Sequence, residues 1–462
     1  MTDRTNTTNT TDTAARTLAA RLSGAVHAPG SPGHERARTG VQLLDPHRPA
    51  AVVEAADADD VRAAVAWAAE HDLPVAVQAT GHGRGTGLSG GVLIDTHHMD
   101  GVHVDPVRRT ARIGAGATWR RVIEAAAPHG LAPLSGSSPS VGAVGYTLGG
   151  GVGLLARRYG FSSDLVHRID LVTADGGARA VTAGSDPGLF RALRGGGLLG
   201  FGAVTGMEIG LVPVERLYGG GLLFDLGGDP AAVLGAWWRW AEDLPEEMTT
   251  GVSVVSYPDL PVLPPHLRGR LSARVAVSWS GPVERGPGLV EPLRKAGPLV
   301  ADALGVLPYS ASAAVFDDHD EPAAYRGEGL LLDRFPLGEA VEVVRRAAAA
   351  PFMAAVWLRR LGGALERPPA VPDAVGNRDA AVALTLLTLD TERDTPAMAD
   401  LRAGASELLA GHTLGRSLTL SFGPVDADRA GTAFAPGDHA RLLELRNRLD
   451  PRGLFRSHRP LG

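Results

Sequence analysis

The 462-residue chain is 44% apolar and carries a formal net charge of −6, an ordinary globular composition on a length that calls for more than one core. Neither a polyanion-binding surface nor a polybasic membrane patch is indicated, so nucleic acid and membrane are not expected partners, and no run approaches the ~20 apolar residues of a membrane span. With no cysteine, disulfides, thiolate metal sites and a cysteine nucleophile are excluded.

Met1 to Thr13 is rich in Thr and Asn and reads as part of a disordered tail, placed at residues 1–20. It lacks the charged start and apolar run of a secretory leader, so a cytoplasmic protein is expected. Lys295 is the sole lysine amid abundant Ala, Gly, Pro and Arg, a bias that reads as GC-rich bacterial coding.

From Ala51 to Pro213 short apolar runs alternate with helical segments. Ala51–Glu54 is predicted as a strand. Asp57 caps a helix reaching Glu70, with Val61, Ala64, Val65 and Ala68 at helical spacing. Leu73–Val77, Val92–Asp95, Val102–Asp105 and Thr110–Gly114 read as strands, and Thr118–Ala127 as a helix ending near Pro128 and Gly130. Val166–Thr173 and Ala178–Thr182 pair across the Asp175-Gly176 turn. A helix at Pro187–Leu193 and a strand at Ala203–Val212 complete this half. The pattern is α+β rather than the regular alternation of a doubly wound fold.

Beyond Pro213, helices at Ala231–Leu244 and Gly338–Ala350 accompany strands at Ser272–Ser280 and Ala381–Leu389. Four prolines in Pro258–Pro265 exclude regular structure there. Ser417–Ser421 is predicted as a strand and Pro436–Leu449 as a helix. Domains are expected at 21–214 and 215–412, with 413–462 as a closing segment.

The chemistry concentrates in glycine-rich segments. Gln78-Ala79-Thr80-Gly81-His82-Gly83-Arg84-Gly85 follows an apolar run and sets an imidazole in a tight turn, where backbone N–H groups can converge on an anion. Gly81–Gly91, Gly142–Gly153, Gly195–Gly206 and Gly114–Gly116 lie in one half of the chain, so backbone close to a single extended ligand is expected. The spacing of G-x-G-x-x-G after a strand is absent, and so is a phosphate-binding Walker motif. His97, His98 and His103 show no metal-ligand spacing, and no metal is expected.

Asp45 to Pro213 resembles the FAD-binding domain of the vanillyl-alcohol-oxidase superfamily (PCMH type), in its berberine-bridge-enzyme-like branch. The resemblance rests on Gly81-His82-Gly83, Gly91-Val92-Leu93-Ile94-Asp95 and Gly114-Ala115-Gly116-Ala117-Thr118-Trp119 in order. Ser138-Pro139-Ser140-Val141-Gly142 through Gly149-Gly150-Gly151 follows, then Arg157-Arg158-Tyr159-Gly160, Leu189–Gly197 and Phe201-Gly202-Ala203-Val204-Thr205. Asp450-Pro451-Arg452-Gly453-Leu454-Phe455-Arg456 is similar to the family's closing segment.

The resemblance implies a two-domain α+β flavoprotein, with an FAD-binding domain from both ends of the chain and a central antiparallel-sheet substrate domain. It implies FAD bonded through His82, and at that site only. Bicovalent relatives carry a cysteine at the position of Ser138, and serine cannot form the thioether. Ala79, Thr80, Gly81, Gly83, Arg84, Val141, Gly142, Tyr146, Gly149, Gly150, Gly153, Gly202 and Val204 are the expected cofactor neighbours. Val141, by its small side chain, is expected to leave dioxygen a path to the flavin. Tyr146 is expected near the flavin's ribityl and pyrimidine edge. Leu418-Thr419-Leu420-Ser421-Phe422-Gly423 departs from the family's Tyr/Asn-rich strand, which implies an unusual or unusually apolar substrate side. The loop Gly195–Gly202 is one residue longer than the family pattern and lacks its Asn.

The expected activity is hydride transfer from a small organic molecule (an alcohol, a sugar or a secondary-metabolite intermediate) to FAD, with dioxygen as acceptor. A dehydrogenase with another acceptor, and a flavin-scaffolded cyclase or non-redox binding protein, are the alternatives. No catalytic base is assigned; Tyr146, Tyr325, Arg359 and Arg378, with Glu366, are the candidates, and each also reads as a surface or packing residue. The oligomeric state is not encoded legibly.

Overall fold

The computed structural model describes residues 16–257, 259, 261, 264, 265, 267–390, 393–457 and 459. The Thr/Asn-rich start and much of the proline loop lie outside these. Residues 16–19 are helical and Leu18 is fully buried beside Val61 and Trp67, so the packed chain begins inside the segment assigned to the tail.

Among the described residues three sheets carry the fold. In the first, Ala25–His27, Ala51–Glu54, Val92–Asp95 and Val75–Gln78 lie side by side, the last three mutually parallel. Their near-continuous apolar sequence suits strands covered on both faces. The helix Ala58–Glu70 packs against them through Val61, Ala64, Val65 and Ala68, and Asp57 accepts from the N–H groups of Asp59 and Asp60 as its cap. In the second sheet Val102–Asp105, Thr110–Gly114, Ala203–Gly210, Val166–Val172 and Ala178–Val181 are antiparallel, including the expected hairpin at Asp175-Gly176.

The third sheet is antiparallel and spans nine strands. Its centre is Leu271–Trp279, Met248–Ser256, Met353–Arg360, Val382–Asp390 and Ala324–Leu332, in that spatial order. Two long helices, Pro230–Glu242 and Leu337–Ala348, bury Trp237, Val343 and Val344 against one face. The opposite face, with Tyr325, Trp357, Arg359, Leu387 and Leu389, lines a cavity.

One predicted strand is wrong. Thr413–Arg416 is the strand, and residues 417–421 turn away from it. Ser421 Oγ donates to Ser417 O (2.8 Å), and the buried Arg459 guanidinium donates to Leu418 O, Ser421 O and Gly423 O. Backbone carbonyls that a strand would pair with its neighbour are committed to one arginine. The turn delivers Leu418, Thr419 and Leu420 to the cavity.

The closing segment returns to the first sheet. Val75 pairs with Phe455, and Asp450 clamps the turn by accepting from Leu454 N and Phe455 N, both at 2.8 Å. Asp450 is buried, so Asp450→Ala leaves two buried donors unpaired. Loss of about 3 kcal/mol in urea-monitored unfolding is expected. An unchanged midpoint would show that the returning segment does not hold the domain.

No helix among the described residues is long and apolar enough to cross a membrane.

Candidate active site

A cavity of about 410 Å³ lies between the two smaller sheets and the large one. Its floor is the turn 79–84. Gly81 has φ +75°, and a Cβ there would stand 3.1 Å from Gly40 Cα, so only glycine allows the tight bend that presents His82. Gly83 and Gly145 face open space, with no heavy atom within 4 Å of an added Cβ.

His82 is held at both ring nitrogens. Nδ1 lies 2.9 Å from Thr80 Oγ1 and Nε2 lies 3.2 Å from Ser140 Oγ. Burial pushes its pKa down to about 4, with Asp320 pulling the other way, so the imidazole is neutral at ordinary pH. Tyr325, from the large sheet, donates its hydroxyl to His82 O at 2.7 Å. Burial pushes the Tyr325 phenol up to about 12, against the pull of Arg84. It is a hydrogen-bond donor here, not a base.

Arg84 is in the cavity lining and also braces the turn. It is buried, and its guanidinium donates to Thr39 O, Gln42 O and Leu44 O (3.0 Å for the last) and to Gln78 Oε1 at 3.2 Å. It pins the preceding loop under the turn, and burial pushes its pKa down to about 10.

The later glycines divide in two. Gly142, with Ala79, Thr80, Gly81, His82, Gly83, Ser138, Val141, Tyr146, Gly202 and Val204, lines the cavity. Gly149, Gly150 and Gly153 do not. A Cβ on Gly153 would sit 1.8 Å from Ser135 O, one on Gly151 2.4 Å from the Tyr146 ring, and one on Gly136 3.0 Å from it. These glycines serve packing around Tyr146, whose ring also meets Trp119 edge-on at 5.6 Å. Among the described residues the Tyr146 hydroxyl is buried without a hydrogen-bond partner. Burial raises its pKa strongly, outweighing Arg359 nearby, so the phenol stays protonated.

Arg359 reaches the lining with its charge in use. It donates to Val152 O (3.1 Å) and Ser137 Oγ (2.9 Å) and lies over the Phe316 ring at 4.6 Å. Arg378 is elsewhere, in ion pairs with Asp164 (2.8 Å) and Asp373 (2.6 Å), where it ties the two halves of the fold. Glu366 ends a short helical turn, Gly363–Glu366, outside the lining.

Sequence reasoning missed the loop that closes the cavity near His82. Asp318, His319 and Glu321 line it, and Asp320 accepts from Ser138 Oγ and Ser140 Oγ, both at 2.9 Å, and from Arg120 Nη2 at 3.0 Å. The run Asp317-Asp318-His319-Asp320-Glu321 was its only signal, and exposed acidic runs are common in loops. Also missed were Trp357 and Phe422. Phe422 meets Tyr325 at 5.4 Å and Trp357 at 6.2 Å, edge to face, forming an aromatic wall.

Outside the lining, the fold gathers donor atoms of Glu54, His97 and His98 within 4.8 Å, which the spacing had not suggested. Glu54 already pairs there with Arg36 and, at 3.1 Å, with His27.

Residues 49–182 match the model of the FAD binding domain family. Over 453 residues the chain is 27% identical to (R)-6-hydroxynicotine oxidase of Paenarthrobacter nicotinovorans, covering 88% of this chain and 90% of that one. It is 28% identical to an uncharacterized FAD-linked oxidoreductase of Bacillus subtilis, covering 80% and 81%. The matched domain and these two relatives mark the chain as an FAD-dependent oxidoreductase. This oxidoreductase shares its fold with solved structures of 6-hydroxy-D-nicotine oxidase from Arthrobacter nicotinovorans and of berberine bridge enzyme from Eschscholzia californica. The first has a TM-score of 0.81 at 23% identity, covering 96% of this chain and 98% of that one. The second has a TM-score of 0.82 at 17% identity, with 98% of each covered.

The cavity suits FAD on its own evidence. Glycines 83 and 145 leave room for close approach, a neutral imidazole sits in the lining, and a buried phenol lacks a partner. FAD is this oxidoreductase's cofactor, with the turn 79–83, Val141-Gly142 and Gly202 to Val204 as the residues that would hold it.

Proposed function

We propose that the enzyme is an FAD-dependent oxidase of a small, largely apolar, ring-bearing organic substrate, its cofactor bonded to His82. When bound, the flavin accepts a hydride from the substrate carbon and dioxygen takes the electrons onward as hydrogen peroxide. The chain's own groups orient the substrate, exclude water and move protons. The observation that carries the substrate class is the cavity wall. Trp357, Phe422, Leu387, Leu389, Leu418 and Leu420 offer an apolar face where an oligosaccharide would need many hydrogen-bonding groups. The relative (R)-6-hydroxynicotine oxidase agrees with it.

Polar groups sit at the rim. Asp318, His319 and Glu321 bring carboxylates and an imidazole to the lining, and acceptance of the substrate proton falls to this loop. Tyr146 and Arg359 supply a phenol donor and a positive charge to the lining, which Val141 shares.

Anaerobic mixing with cyclic amines, benzylic alcohols and oligosaccharides tests this reading. Bleaching of the flavin by the apolar ring compounds is expected, with one peroxide per turnover once air is admitted. Selective bleaching by oligosaccharides would overturn the substrate class, and bleaching without peroxide would make the enzyme a dehydrogenase.

A further inference from the structure

Two serines of one segment and a carboxylate of another form a hydrogen-bonded chain that ends on one ring nitrogen of His82. Ser140 Oγ lies 3.2 Å from Nε2, 2.9 Å from Asp320 Oδ1 and 2.8 Å from Ser138 Oγ. Ser138 Oγ is itself 2.9 Å from the same carboxylate oxygen. Arg120 Nη2, 3.0 Å from the other oxygen, keeps the carboxylate facing the serines.

The protons in this chain are limited. A hydroxyl has one hydrogen to give, and donation to a carboxylate is stronger than donation to a neutral imidazole. Ser140 therefore gives its proton to Asp320, directly or through Ser138. In either arrangement Ser140 Oγ is left as an acceptor, and the group facing it must be Nε2–H. That fixes the tautomer: Nδ1 carries the lone pair, with the Thr80 hydroxyl turned toward it at 2.9 Å.

We infer that Asp320, acting through Ser140 and Ser138, is the positioning residue and proton acceptor that makes His82 Nδ1 the nucleophile in covalent flavin attachment. The inference rests on the covalent reading of His82 given above. In the net step the imidazole N–H and one C–H of the flavin 8-methyl group are lost and a bond from Nδ1 to that carbon forms. Two electrons and two protons pass to dioxygen, which becomes hydrogen peroxide. As Nδ1 is alkylated the ring turns cationic, and its Nε2 proton moves to Ser140 while the serine proton moves to Asp320. His82 and Ser140 belong to the first half of the chain and Asp320 to the loop before Ala324–Leu332 in the second. Attachment then requires that loop to be docked, so the flavin becomes permanent only in a chain whose two halves have assembled.

The test uses full-length enzyme, wild type beside Asp320→Asn, Asp320→Glu, Ser140→Ala and His82→Ala. After acid precipitation the flavin is measured in pellet and supernatant, and the protein is weighed by intact mass. Attachment is followed over time after adding FAD to protein produced with riboflavin limited. Wild type is expected to keep its flavin in the pellet. Asp320→Asn is expected to bind FAD with its usual yellow colour but to attach it about 100-fold more slowly, the scale of a lost general base. Asp320→Glu restores much of the rate. Ser140→Ala slows attachment in the same way, and it carries the test if Asp320→Asn fails to fold. Attachment at the wild-type rate in either Asp320→Asn or Ser140→Ala overturns the inference while leaving the covalent reading intact. Flavin in the wild-type supernatant overturns the covalent reading itself, and the inference with it.

Discussion

Acid precipitation of the His82→Ala enzyme is expected to leave all of its flavin in the supernatant, while the wild-type pellet stays yellow. The expectation follows from what surrounds the ring. Burial keeps the imidazole neutral above a pH of about 4, so its lone pair is available at any ordinary growth pH. Ser138, where the resemblance would put a second tether, has no thiol, and its hydroxyl is engaged with Asp320 at 2.9 Å. The turn 79–83 stays in place without the imidazole, because Arg84 and Gly81 hold its backbone. The variant should therefore still bind FAD, with the ring system free to shift by a fraction of its own width. A displacement of that kind is expected to lower kcat by about 100-fold. Wild-type protein that releases flavin on acid treatment, or His82→Ala protein that retains it, would remove His82 as the point of attachment.

Local signals made most of the fold readable in the sequence. Asp57 as a cap, the helical spacing of Val61 to Ala68 and the Asp175-Gly176 turn each specify their own element. The order of glycine-rich segments then located the cofactor side, because a turn such as 79–83 depends mainly on its own residues. The failures share a physical cause. Residues 417–421 have a strand's apolar alternation, but a buried arginine 38 to 41 positions away in sequence takes their carbonyls. Gly153 looked like a cofactor glycine, yet its constraint comes from Ser135 O, which no local pattern reveals. Arg378 and Arg359 were indistinguishable as sequence, and only the pairing of the former with Asp164 and Asp373 separates them. Asp320 was invisible for the same reason. Its partners Ser138 and Ser140 lie 182 and 180 residues away.

Tyr146→Phe is expected to stabilise the protein slightly and to slow it greatly. The opposite signs follow from one observation, a buried phenol hydroxyl without a partner. In the absence of a ligand such a group costs free energy, so its removal should gain on the order of 1 kcal/mol in thermal or urea unfolding of the FAD-free protein. The ring itself is kept, and with it the packing against Gly136, Gly151 and Trp119. Structures keep an unsatisfied polar group of this kind where a ligand satisfies it. The raised pKa keeps the phenol protonated across the assay range, and it can only donate its hydrogen where negative charge gathers on the bound ring system. Loss of one such preorganised donor should lower kcat by about 100-fold, with a smaller change in KM. Arg359 stands nearby with its guanidinium held by Val152 O and Ser137 Oγ, so its positive charge remains in the variant and cannot mask the loss. A variant that is destabilised but turns over normally would show the hydroxyl to be a packing element bonded within the protein, with Ser162 as the candidate partner.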